Sequence, residues 1–148
     1  TRFIQLYHRG WDHHGGVKNG VLTTARHVDK ASAALIRDLD VRGMLDETMV
    51  VFLTEFGRTP KINANGGRDH WGACGSVFFA GAGIESGQVV GRSDKQAGYP
   101  MTRPYGPADI AATIYHSLGI EGEARIRDRE NRPVPVLDHG RPIDAVLA

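Results

Sequence analysis

Apolar positions follow two rhythms along this chain. Met49-Val50-Val51-Phe52-Leu53 and Ser76-Val77-Phe78-Phe79-Ala80 are short, unbroken apolar runs rich in β-branched and aromatic residues. Such runs suit strands covered on both faces, the pattern of a parallel sheet. Arg2 to His8 alternates loosely and predicts a further short strand. The second rhythm is helical. Val28, Ala31, Leu35 and Leu39 recur at helix spacing, with Arg26, Asp29, Lys30, Arg37 and Asp38 mostly off that stripe. Thr23 or Thr24 caps the predicted helix, which runs to about Arg42 and stops at Gly43. Ile110, Ile114 and Leu118 mark a second helix, with Pro107 near its start and Gly119 just past its end.

In order, these elements give strand, helix and strand, whose parallel crossover is right-handed. The expectation is an α/β domain over residues 1–148, with a mostly parallel sheet flanked by helices. Gly87 to Thr102 is polar and predicts an irregular segment or short hairpin. Residues 122–148 are charged and punctuated by Pro133, Pro135 and Pro142, which predicts a wrapping tail outside the core.

Composition narrows the picture. The 148 residues suit one domain, and 41% hydrophobic residues can fill a core. A net charge of +1 gives no bulk attraction to nucleic acid or a membrane surface. No apolar run approaches the roughly 20 residues of a membrane span. Cys74 is the one cysteine, so no intrachain disulfide forms. It reads as a small core residue. The chain opens at Thr1 directly into a strand-like stretch, the expectation for a piece of a longer protein.

Candidate chemistry sits where the strands end. Ligand sites in open α/β sheets form at the carboxyl ends of strands. There the chain places Asp12-His13-His14, then Glu55, then Asp69-His70 framed by Gly66, Gly67 and Gly72. A carboxylate and an imidazole two residues apart reach the same cation from one loop, as Asp12 and His14 would. A solvated turn, a salt bridge from Glu55 to Arg58 or Arg68, and a hydrogen-bonding role for His70 are the plainer readings. Arg58 and Arg68 flank the group, and a guanidinium beside a cation clamps a phosphate or sulfate in bidentate fashion. Trp11 and Trp71 read as core. His8, His27, His116 and His139 show no ligand pattern. No GxSxG, P-loop, GxGxxG or CxxC occurs, which argues against serine hydrolases, nucleotide binders and zinc ribbons.

Leu45 to Gly57, LDETMVVFLTEFG, resembles the alkaline phosphatase/sulfatase superfamily, where a "lDnTlviftSDHG" run carries a metal-binding Asp-His pair. The chain resembles more closely the DUF1501 family of uncharacterised sulfatase-like bacterial proteins. The blocks that carry this are Gly10-Trp11-Asp12-His13-His14, Thr54-Glu55-Phe56-Gly57-Arg58-Thr59-Pro60 and Gly67-Arg68-Asp69-His70-Trp71-Gly72. Pro107 to Ile114 resembles the superfamily's "DlaaTll" helix, and Arg132 to Ile143 the family's tail.

The resemblance implies the C-terminal part of an alkaline-phosphatase-like fold. It implies Asp12, His14, Glu55 and His70 as ligands of a divalent cation, with zinc, manganese, calcium and iron undistinguished. Phe56 stands at the place of a superfamily histidine and cannot ligate, which removes one expected ligand of a second cation. The implied function is metal-dependent hydrolysis of a small phosphate or sulfate ester, Arg58 or Arg68 neutralising the oxyanion. The nucleophile-bearing half would lie upstream, so this stretch alone is expected not to turn over. A non-catalytic metal- or anion-binding module of the same fold is the alternative. Export to the periplasm and self-association through an exposed sheet edge are further expectations; the substrate is not readable.

Overall fold

A computed structural model describes residues 2–148. Helix α1 spans Val17–Val41, β1 Val50–Phe52, β2 Gly57–Arg58, β3 His70–Trp71 and β4 Phe78–Ala80. Helix α2 spans Pro107–Ser117, followed by β5 Arg125–Arg127 and β6 Pro133–Pro135. Single turns of 3-10 helix lie at Leu45–Glu47 and Asp144–Val146.

The expected mostly parallel sheet is not there. Among the described residues the strands form three two-stranded antiparallel sheets, β1 with β4, β2 with β3 and β5 with β6. β1 and β4 occupy the two apolar runs, but they pair antiparallel, Val51 opposite Phe79. The unbroken apolar pattern reports hydrophobicity on both faces, not the direction of the neighbour. Those faces are also poorly covered: Phe52 is 45% exposed and Phe78 49%. The stretch at Arg2 to His8 forms no strand and is exposed.

Both helices lie close to where the pattern put them. α1 starts earlier than either threonine. Gly16 adopts a left-handed conformation, φ 55°, which L side chains resist, and the first helical N–H, of Val17, donates to Gly66 O. Thr23 and Thr24 are interior, and their hydroxyls donate back to Asn19 O and Gly20 O. α1 ends as expected, with Met44 N–H donating to Leu39 O and Gly43 N–H to Asp40 O. α2 has Pro107 at its first position, and Asp109 reaches back to accept from Gly106 N–H at 2.9 Å.

Little of this surface is hidden. The chain exposes 11502 Å², against roughly 7,400 Å² for a folded monomer of about 16 kDa. Leu39, Ala112 and Ile143 are the buried apolar residues among those described. Ile143 belongs to the stretch expected to lie outside the core. Its N–H donates to Thr113 Oγ1, itself fully buried on α2. The tail is thus a packing element, and it contains the β5–β6 hairpin.

Candidate metal centre

Two loops build the centre, and glycines let them touch. Gly67 lies so close to the first loop that an added Cβ would meet the His14 carbonyl carbon at 2.0 Å. Only a residue without a side chain fits there. Backbone bonds then join the loops: Arg68 N–H donates to His13 O, Gly16 N–H to Asn65 O, and Gly15 bridges Gly66. Asn63 is the hub. Its Nδ2 donates to His14 O and to Asp69 Oδ1, and its Oδ1 accepts from the N–H groups of Asn65 and Gly67.

Within this frame, two tight turns shape the first loop: His13 N–H donates to Trp11 O and His14 N–H to Asp12 O. Asp12 and His14 fall on one side of their loop. His13, between them, turns toward Thr24 Oγ1, 3.4 Å away. In the second loop His70 turns toward Asp12. β2 and β3 pair Arg58 directly opposite His70, so both side chains reach the same carboxylate.

Asp12 Oδ1, His14 Nε2 and His70 Nε2 form a small triangle. Its edges are 3.0 Å from Asp12 to His14, 2.9 Å from Asp12 to His70, and 3.2 Å between the two nitrogens. Bonds of about 2.1 Å to one ion put ligands at right angles about 3.0 Å apart, and tetrahedral ligands about 3.4 Å apart. The edges therefore fit three ligands on one face of an octahedron. Asp69 Oδ1 lies 2.7 Å from His14 Nδ1. Donating Nδ1–H there leaves the Nε2 lone pair of neutral His14 aimed into the triangle, the usual carboxylate–histidine–metal order. His70 is set by a ring instead: Phe56 packs against it, tilted by 41° with centroids 4.4 Å apart.

Arg58 Nη1 donates to Asp12 Oδ1, the oxygen that also faces both imidazoles. That bond first, and the one from His70 second, lower the Asp12 pKa from 3.8 to about 2. The Asp69 carboxyl is also lowered, chiefly by His14 and then by Asn63.

Of the four expected ligands, Asp12, His14 and His70 come together. Glu55 is not in the group; its Oε1 sits 3.6 Å from Arg58 Nη2, on the guanidinium's other side. The two arginines also part company. Arg68 donates to the carbonyls of Thr59 and Arg58, so its guanidinium braces the β2 end. Arg58 faces the triangle. Trp71 donates to Gly98 O and packs edge-on to Tyr99, and Trp11 donates to His8; both are half-buried.

Sequence reasoning missed the work of Asp69, Asn63 and Phe56. Asp69 and His70 meet His14 at different ring nitrogens, Nδ1 and Nε2, so only His70 reaches the triangle. An asparagine ahead of a glycine turn, Asn63 before Gly66-Gly67, was the available signal for the hub. A groove of about 760 Å³ between α1 and Gly81–Ile84 lies elsewhere and includes none of these residues.

A family model described as "Protein of unknown function (DUF1501)" matches residues 1–147. No curated protein and no solved structure matches the chain. None of the described helices is long and apolar enough to cross a membrane.

Proposed function

We propose, for a chain that belongs to the DUF1501 family, that Asp12, His14 and His70 hold a divalent cation in the service of an anionic ester. The observation that carries this is the donor triangle together with Asp69 behind His14. His70 Nε2 lies 3.2 Å from His14 Nε2 and 2.9 Å from Asp12 Oδ1, so with its proton moved to Nδ1 the three atoms present lone pairs to one point. A shared cation would take the place of the proton that otherwise bridges them. Two nitrogens and one oxygen suit zinc, manganese or iron, whereas calcium prefers six to eight oxygens.

A cation held there supplies Lewis-acid polarisation of a phosphoryl or sulfuryl oxygen. The chain's own residues do the rest. Asp12 and the two histidines bind, Asp69 and Phe56 orient the rings, and Arg58 offers N–H donors to the negative ester oxygens. Hydrolysis of a phosphate or sulfate ester is the reaction class this reading favours. Phe56 supports a second reading, a binding module that holds cation and anion without turnover, because it stands where the superfamily resemblance would put a further imidazole ligand, and its ring packs against His70.

Elemental analysis of the purified chain and of His70→Ala tests the cation. About one equivalent in the wild type and loss in the variant support the centre; none in either overturns it. Hydrolysis of aryl phosphates or sulfates by the loaded protein then separates hydrolase from binding module.

A further inference from the structure

We infer that Arg58 couples the cation to an anion: it clamps Asp12 while no cation is held, and transfers to a tetrahedral oxyanion of the phosphate or sulfate type once one is. This rests on the cation reading above and goes beyond it. Arg58 spends one N–H on Asp12 Oδ1, and its other terminal nitrogen stands 3.6 Å from Glu55, beyond hydrogen-bond reach. No backbone carbonyl fixes its guanidinium among the described residues, in contrast to Arg68, which is tied to two. Its side chain is only 21% exposed and lies over Phe56, 5.5 Å from the ring centre to Cζ. The same ring backs His70. Arg58 is thus held at the triangle by side-chain carboxylates alone, Asp12 through a hydrogen bond and Glu55 through a longer ion pair.

The charges set the direction of coupling. A divalent cation drawn to Asp12 neutralises the partner that holds Arg58, and it repels the guanidinium from a few ångströms away. An oxyanion bridging cation and guanidinium turns that repulsion into two attractions, with a fork geometry that suits two of its oxygens. Coupling of this kind is reciprocal, so each ligand raises affinity for the other.

Titration calorimetry with manganese(II), with and without inorganic sulfate at constant ionic strength, tests it on wild type, Arg58→Gln and Arg58→Lys. Wild type should bind manganese about fivefold or more tightly with sulfate present. Arg58→Gln should bind manganese more tightly than wild type without sulfate, and gain nothing from sulfate. Arg58→Lys, which keeps the charge but loses the fork, should show the repulsion and only part of the gain. Weaker manganese binding by Arg58→Gln would make Arg58 a brace for Asp12 and overturn the coupling. So would an equal sulfate effect in all three proteins. If wild type takes up no cation, the centre itself falls with the coupling; if it binds cation without sulfate dependence, only the coupling falls.

Discussion

Two polar clusters in this molecule are built from the same parts and end in opposite conditions. Around α2, Asp109 accepts from the N–H groups of Gly106 and Arg141, and Thr113 donates to Asp109 O while accepting from Ile143 N–H. Gly140 permits the approach, since an added Cβ would lie 2.4 Å from Ala108 O. Every strong polar atom there meets backbone, and Thr113 is fully buried. Around Asp12, glycines again bring loops together, and Asn63 again consumes backbone donors. Yet the inner atoms, Asp12 Oδ1 and the two Nε2 nitrogens, face one another and solvent. A cluster whose polar atoms all end on backbone holds a fold; one whose ligand-type atoms bond only other exposed side chains at one point suits a ligand.

The sharpest break in this comparison is to remove a ligand. His70→Ala should weaken cation binding more than the roughly 10–100-fold expected for losing an orienting partner. His70 is exposed, so thermal stability without cation should change by no more than about 0.5 kcal/mol. Calorimetry and thermal melting on one sample check both. A large melting change with unaltered cation affinity would put this cluster in the same class as the one on α2.

Removing the orienting partner comes next. Asp69→Ala should cost about 10–100-fold in cation affinity, because His14 loses the group that fixes its tautomer. The expected loss is in affinity, with one equivalent still bound at saturation. An unchanged affinity would mean that Asp69 serves only Asn63 and the loop frame.

The opposite change, in the other cluster, is smaller and of another kind. Thr113→Val keeps the shape but leaves Ile143 N–H without its acceptor. That should destabilise the fold by about 1–3 kcal/mol, read by denaturant unfolding, with cation affinity untouched.

These contrasts also show what was legible in the sequence. The C-terminal ends of both helices were, because glycine stop signals are local: Gly43 and Gly119, φ 65° and 72°, stand just beyond α1 and α2. The strand positions of β1 and β4 were legible from their apolar runs, but not their direction, since pairing is decided by what lies opposite. Asp12, His14 and His70 stood out as ligand types at short spacing. Glu55 had the same credentials, yet it pairs with Arg58 outside the triangle. Asn63, Asp69 and Phe56 could not be assigned from type alone. Their roles depend on contacts across up to 55 positions of chain, as from His14 to Asp69. Ile143 was hidden by its setting, an apolar residue in a proline-rich, charged tail.

Acid titration should separate the clusters most finely. Both Asp12 and Asp109 have lowered carboxyl pKa values, but by different means. Arg58 and then His70 act on Asp12, whereas the N–H groups of Gly106 and Arg141 lead at Asp109. A carboxyl whose folded-state pKa is depressed stabilises the fold above its unfolded value and loses that contribution as pH falls through the folded one. For Asp12 the window runs from 3.8 down to about 2. Exposed ion pairs are screened by salt, while backbone N–H groups held by the fold stay in place. Carboxyl-carbon NMR of the cation-free protein should therefore show the Asp12 midpoint rise in high salt, and rise further toward 3.8 in Arg58→Gln. Asp109 should barely respond to either change. If both midpoints moved together under Arg58→Gln, the two clusters would be one electrostatic unit, and the division drawn between them would be wrong.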